Sequence, residues 1–208
     1  MQIFSFVVAV ISSAALAGNF DVTDDIVVSE TWTCDNGYNL TSQIYVRPGA
    51  TLTIQAGTKI VSTASANGSG ALCVANGGQL FVNGDSKAPV IMTSNLDDGT
   101  WRASCNEWGN LTICGDAYIG FDGVTNSGGF PGNTLSPSAS NEANMEGLLE
   151  EPGNPTLNNY GGGDDNYDAG SISYLSIRYG GRVVGLSNEL NGLSLGAFAL
   201  SGIVLPIV

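Results

Sequence analysis

The 208-residue chain contains no histidine. That absence removes the imidazole on which Ser–His–Asp and Cys–His nucleophile systems depend, and the commonest zinc ligand with it. Basic residues are scarce too: six Lys and Arg stand against 19 Asp and Glu, a net charge of -13. No basic face exists to gather phosphates, so nucleic acid and anionic lipid are disfavoured as partners. Cysteine is limited to four residues, none at the short C-x-x-C spacing of a zinc site. What remains, 43% apolar and 12% charged, describes a globular chain long enough for one domain with a substantial core.

The segment "MQIFSFVVAVISSAALA" carries a continuous apolar stretch at residues 3–10 and ends in Ala15-Leu16-Ala17, the A-x-A pattern of a cleavage site. Residues 1–17 are therefore expected to be a signal peptide, although no positive charge precedes the apolar stretch. Export would make the protein secreted or cell-surface. Three N-x-S/T sequons, at Asn39, Asn67 and Asn110, lie in turn-rich surroundings and are candidate glycosylation sites in a eukaryotic host. Four cysteines suit an oxidising compartment. As candidate disulfides, Cys105 and Cys114 bracket a short segment and form the local pair, leaving Cys34 with Cys73; free thiols are the alternative.

Two stretches superpose at a shift of 28 residues, "IYVRPGATLTIQAGTKI" from Ile44 and "LCVANGGQLFVNGDSKA" from Leu72. Ile44, Val46, Leu52 and Ile54 fall on Leu72, Val74, Leu80 and Val82, and Gly49 falls on Gly77. The apolar residues alternate, and a glycine corner separates two short runs, which is strand periodicity with turn chemistry and not a helical stripe. One such unit cannot bury its apolar face alone. It must stack on a neighbour of the same shape, Val46 over Val74 and Leu52 over Leu80, which describes a parallel β-solenoid. The expected core is Ile44, Val46, Leu52, Ile54, Ile60, Leu72, Val74, Leu80, Val82, Val90, Ile91, Leu111, Ile113, Ile172, Leu175 and Ile177. Thr51, Thr53 and Gln79 are expected outside.

Residues 18–43 are expected as an N-terminal cap region and 44–208 as the solenoid. Residues 122–170, rich in Gly, Asn, Pro, Ser and acids, read as a long loop leaving it. Within that loop, "NEANMEGLLEEPG" is a candidate for one short helical turn. The tail "GLSLGAFALSGIVLPIV" is too short for a comfortable span of a ~30 Å hydrocarbon core and lacks the polar spacer of a lipid-anchor signal. A truncated chain, or a last strand closing the solenoid, is expected instead.

The motifs "VRPGATLTIQAGTKI", "WGNLTICGDA", "YGGGDDNYDAGSISYLSIRYGG" and "NELNGLSLG", in that order, resemble a family of secreted or surface-attached right-handed parallel β-helix proteins. Members are often lipoproteins in bacteria and frequently have no established activity. The resemblance covers about residues 30–197 and implies an all-β, right-handed parallel β-helix in an extracellular setting. It implies no catalytic residue. Family members usually continue for several more coils after the segment matching residues 188–196.

Candidate sites are sparse. Asp164, Asp165, Asn166 and Asp168 place several oxygen donors on one turn, a set suited to Ca²⁺, yet the spacing is not that of an EF-hand and the same residues make ordinary turns. Gly161, Gly162 and Gly163 would supply turn geometry for the chain's return to a strand. Asp97, Asp98, Glu107 and Asp122 are candidate acids for glycoside hydrolysis, which needs two carboxylates at a set separation, against the plainer reading of solvated surface charge. Arg178 and Arg182 could clamp a uronate, but Arg is a poor general base and pairing with a nearby Asp is the better expectation. Trp101, Trp108 and Tyr160 are candidate stacking surfaces for a sugar ring, with Trp108 expected to pack over a coil edge. These residues point to a non-catalytic β-helix for adhesion, glycan contact or surface structure, with polysaccharide lyase or hydrolase as the alternative. Ca²⁺ is the one cofactor suggested. Polysaccharide or glycoprotein is the expected partner, no stable membrane span is expected, and no oligomeric state is set.

Overall fold

The computed structural model describes residues 18–62, 70–120, 137–148, 153–185 and 188–198. All regular structure among them is β. The chain winds as a right-handed parallel β-helix, its second, third and fourth coils each adding one strand to each of three sheets. The first coil is β1 (Gly18–Val22), a bridge at Ile26 and β2 (Glu30–Trp32). The second is β3 (Asn36–Leu40), β4 (Ile44–Val46) and β5 (Thr51–Gln55). The third is β6 (Lys59–Ser62), β7 (Leu72–Val74) and β8 (Gln79–Asn83).

The fourth coil starts with β9 (Val90–Ser94) and β10 (Leu111–Cys114). It is then interrupted by an insertion holding the antiparallel pair β11 (Ala143–Asn144) and β12 (Asn159–Tyr160), and closes with β13 (Gly170–Ser173). The fifth runs through β14 (Leu175–Ile177), a small antiparallel pair β15 (Val183–Gly185) and β16 (Asn188–Glu189), and β17 (Leu193–Gly196). The region expected as a cap thus supplies the first coil and enters the second.

The repeat read from the sequence is the stacking register. Ile44 pairs with Leu72 and Val46 with Val74 across β4 and β7; Leu52 pairs with Leu80 and Ile54 with Val82 across β5 and β8. All eight side chains are buried. Burying a Val or Leu contributes roughly 1.5–3 kcal/mol, so each aligned pair rewards this register, and a one-residue slip would turn both apolar rows into water. At the corner, Gly49 and Gly77 have φ of 83° and 91°, a region costly to L side chains, and the Gly49 N–H donates to the Gly77 carbonyl at 2.8 Å. The corner therefore repeats with the strands.

Two expectations need correction inside this frame. Ile91 is only partly buried, because along β9 it is Val90 and Met92 that face the core. The helical turn expected within residues 141–153 is absent from its described part, where Met145 N–H donates to the Asn158 carbonyl at 2.8 Å beside the β11–β12 pair. Strand pairing there satisfies the backbone that a helical turn would have satisfied internally.

The outer faces of the sheets differ. Outside β5 and β8 stand partly exposed Thr51, Thr53 and Gln79, as expected. Outside β4, β7 and β10 stand Tyr45, Cys73 and Thr112, all buried, because Leu148 and Leu157 of the insertion cover Tyr45 and Cys73. The insertion is a roof over one sheet. Between the first and second coils, Trp32 of β2 and Tyr38 of β3 stack at 4.5 Å between ring centres.

All four cysteines are free, so neither expected pairing is present. Cys73 and Cys114 are buried while Cys34 and Cys105 are exposed, which separates the members of both expected pairs. Burial raises the Cys73 thiol well above its ordinary pKa and pushes Cys114 up to about 12, leaving two protonated, unreactive core residues. Asn110 is also misassigned as a glycan acceptor: it is buried, and its Nδ2 donates to Thr112 Oγ1 at 2.7 Å. Asn39 is partly exposed on β3, with its Nδ2 on Asp21 Oδ1 at 2.7 Å. Asn67 lies outside the described residues.

A candidate ligand cleft beside the fourth coil

After β9 the chain leaves the solenoid at residues 95–110 before returning in β10. One coil later β14 lies parallel on β9, Ile177 opposite Met92, and the Arg178 N–H donates to the Met92 carbonyl at 3.0 Å. Solenoid stacking therefore sets the turn after β14 directly over the loop after β9. Two residues with left-handed backbone meet where they touch, Asn106 at φ 62° and Tyr179 at φ 60°. The Glu107 N–H donates to the Tyr179 carbonyl at 2.9 Å, and the Asn106 N–H to the Gly180 carbonyl at 3.2 Å. For Tyr179 this conformation costs about 1 kcal/mol or more, which those cross-coil bonds offset.

Trp108 anchors the junction. It is 1% exposed and its Nε1 donates to the Arg178 carbonyl at 2.6 Å. A Cβ on Gly180 would lie 3.2 Å from the Gly109 carbonyl oxygen and 3.3 Å from that indole, so the turn packs tightly against Trp108. Trp108 thus packs over a coil edge, as expected, and offers no face to a sugar.

The loop and turn enclose a shallow cleft of about 500 Å³, lined by Thr100, Trp101, Arg102, Ser104, Arg178 and Tyr179 among others. Trp101 is 87% exposed. Arg102 lies over the Tyr179 ring, 4.2 Å from its centre, and donates from both Nη groups to Glu107, at 2.5 and 2.6 Å; Ser104 Oγ also donates to this carboxylate. Those Arg102 hydrogen bonds outweigh the opposing effect of burial and, with Ser104 and Ser94, lower the Glu107 carboxyl to about 2.

Asp97 is buried behind the cleft. Burial alone would raise its carboxyl, but hydrogen bonds from Thr93 Oγ1 at 2.7 Å and Gly99 N–H at 2.9 Å, with the charge of Arg178, hold it below the ordinary range. Arg178 Nη1 stands 3.5 Å from Asp97 Oδ2, the Arg–Asp pairing anticipated from the sequence. Asp98 is exposed and accepts from the Thr100 N–H and Oγ1 at 2.9 and 2.6 Å.

The structure thus brings together Asp97, Asp98, Glu107, Arg178 and Trp101. Arg182 is set aside: its Nη1 donates to the Asn106 carbonyl at 3.1 Å and it does not line the cleft. Tyr160 belongs to the roof and packs where a Cβ on Gly196 would meet its ring at 2.5 Å. Asp122 lies outside the described residues. Arg102 and Ser104 were not singled out in the sequence; an Arg beside an exposed Trp, five residues before a Glu, was the available signal.

The expected Ca²⁺ set does not assemble. Asp164 Oδ1 accepts from the Asn166 N–H at 2.9 Å, Asp165 Oδ1 from the Tyr118 N–H at 3.0 Å, and Asp168 Oδ1 from the Gly170 N–H at 2.9 Å. Each carboxylate caps a different piece of backbone. No group of three His, Cys, Asp or Glu suited to a metal occurs among the described residues. Of the neighbouring glycines, Gly161 has a positive φ, 104°, while Gly162 is held by close approach, a Cβ there lying 1.9 Å from Asp116 Oδ1.

A second hollow, about 480 Å³, lies over Trp32 and Tyr38 at the first described coil. Among the described residues, no helix is long and apolar enough to cross a membrane.

A family model described as a pectate-lyase like beta helix domain matches residues 23–204. No curated protein and no solved structure matches the chain. Since that match spans most of the sequence, and the coils, sheets and register are those of a parallel β-helix, the chain belongs to the pectate-lyase-like β-helix domain family.

Proposed function

We propose that this is a non-catalytic β-helix of the extracellular space or cell surface that holds a glycan in the Trp101–Arg178 cleft. One observation carries the reading: the three carboxylates beside the cleft are already engaged, Glu107 by Arg102, Asp97 by Thr93, Gly99 and Arg178, and Asp98 by Thr100. A hydrolase of the two-carboxylate type needs one acid that keeps its proton near neutral pH, and all three are pushed the other way. A lyase needs a base, and a guanidinium holds its proton above pH ~12. An exposed indole beside hydrogen-bonding groups is what a sugar ring stacks on and is oriented by.

The family's description supports the alternative, a polysaccharide lyase on the same scaffold. The test is to incubate the chain with acidic and neutral polysaccharides and follow both retention on the polymer and the appearance of reducing or unsaturated ends. Retention without new ends is the expected result. New ends whose formation is lost in Glu107→Gln would establish the enzyme. Export from a eukaryotic host would place an N-glycan at Asn39 and not at Asn110.

A further inference from the structure

We infer that the outer face of the sheet formed by β2, β5, β8 and β13 docks on the flat surface of an insoluble neutral polysaccharide, a contact separate from the cleft. The three sheets differ in what lies outside them. The sheet of β4, β7 and β10 is roofed by the insertion, and outside β9 and β14 the side chains of Thr93 and Ser176 are buried where the chain leaves for the loop at residues 95–110. Outside β2, β5, β8 and β13, by contrast, every outward side chain is partly or fully exposed. These strands pair in unbroken register, which sets Thr31, Thr53, Phe81 and Ser171 in one column across the sheet. Thr51 and Gln79 flank that column on one side, and Gln55, Asn83 and Ser173 on the other. The result is a grid of about 4.8 Å between strands by about 6.6 Å along them.

No charged side chain stands at these outward positions, in a chain whose net charge is -13. Glu30 of β2 belongs to the inner row, opposite Leu52, and accepts from Trp32 Nε1 at 2.8 Å. Charge gathers at the rim: Asp168, whose Oδ1 takes the Gly170 N–H, stands before β13, and Asp35, Asp85 and Lys87 lie in the turns that follow β2 and β8. A charged partner therefore meets no counter-charge on the face itself. A second copy of the chain is opposed by the net charge that both would carry. An uncharged partner escapes both objections. The hydroxyls of Thr53 and Ser171 and the amides of Gln55 and Asn83 can each donate and accept, as sugar hydroxyls do, and Phe81 at the centre offers an apolar contact to the C–H face of a sugar ring. A flat grid cannot enclose one soluble chain, and it buries area only against another flat surface, such as packed polysaccharide chains present. The face spans roughly 15 Å in each direction, well below a standard interface, so a single contact is weak.

The intact chain is mixed with microcrystalline cellulose at high solid load, and the protein left in solution is measured at about 20 and about 300 mM NaCl. Depletion by the solid is expected, equal at both salts. Gln55→Glu, a change of charge with almost no change of shape at an exposed position, and Thr53→Asp should each lower the ratio of bound to free protein at least about fivefold, with the unfolding midpoint nearly unchanged. Trp101→Ala should bind the solid as the wild type does. No depletion, or depletion undiminished in both Gln55→Glu and Thr53→Asp, overturns the docking face. Depletion lost in Trp101→Ala assigns the polymer to the cleft, which overturns the docking face and leaves the glycan reading standing. A wild-type dimer that dissociates in Thr53→Asp makes this face a contact between copies and overturns it as well.

Discussion

The stacked coils and the loops that leave them obey different rules. In the coils, Val46 is held by Val74 and Leu52 by Leu80, residues that repeat in the sequence at a fixed interval. In the loops, Asp97 meets Arg178 and Glu107 meets Tyr179, partners with no repeat to announce them. The first arrangement is local information used twice. The second exists only because the coils have already stacked. It follows that damage to a coil should cost the fold, while damage to a loop should cost the cleft.

The largest contrast is expected across one coil. Val74→Asp puts an unpaired charge between stacked strands and should cost more than about 4 kcal/mol, enough to send the chain into aggregates. Thr53→Asp, on the partly exposed outer face, should stay within about 1 kcal/mol. Denaturant unfolding and soluble yield measure both, and equal behaviour would mean the register is wrong.

Glycines give the next comparison. Gly170 has φ 109°, and a Cβ there would lie 1.9 Å from the Leu80 carbonyl oxygen, a backbone atom that cannot swing away. Gly170→Ala should cost about 3 kcal/mol. Gly153 has φ 88° with nothing within 4 Å of the added carbon, so Gly153→Ala should cost only the left-handed strain, about 1 kcal/mol. Similar unfolding midpoints for the two variants would show that close packing, and not φ alone, has been overvalued.

How much of this could be read from the sequence follows the same divide. The pairs from Ile44 and Leu72 onward were legible because alternation with a glycine corner has one stacking solution. Ile91 was misplaced because Val90, Ile91 and Met92 are all apolar and alternation says nothing within such a run. Tyr45 and Cys73 carried the trace of a roofed outer face, each sitting between two core residues where a wet face would have a polar side chain. Of the residues lining the cleft, Trp101 and Arg178 were named, as was Asp97 behind it, but their meeting was not legible: Asp97 and Arg178 join only through the pairing of β14 on β9. The acidic run at 164–168 offered two readings, a Ca²⁺ set and ordinary turns, and residue type alone does not choose between them; in the structure each carboxylate binds its own stretch of backbone.

Among loop carboxylates, Glu107→Gln should lower the melting temperature by a few degrees, whereas Asp165→Asn should shift it by about a degree or less. The Glu107 effect should depend on pH with a definite sign. Its folded pKa, about 2, lies below its unfolded value, so its stabilisation is fully present above about pH 4.5 and is lost as pH falls through about 2. The difference between wild type and Glu107→Gln should close over that window; a gap that stays constant would mean the Arg102 pair is not responsible. Smallest of all should be the response to Ca²⁺, which is expected to raise the melting temperature no more than NaCl at matched ionic strength.

The central claim is that the cleft binds a saccharide and leaves it intact. Calorimetric titration of a neutral oligosaccharide into the intact chain, run in parallel with Trp101→Ala, tests it in one measurement. The account predicts heats that saturate at one site and return to baseline after each injection, with weak or no binding by the variant. Sustained heat that grows with substrate and disappears in Glu107→Gln would mean turnover, and saturating heats unchanged in Trp101→Ala would place the ligand elsewhere; either result contradicts the account.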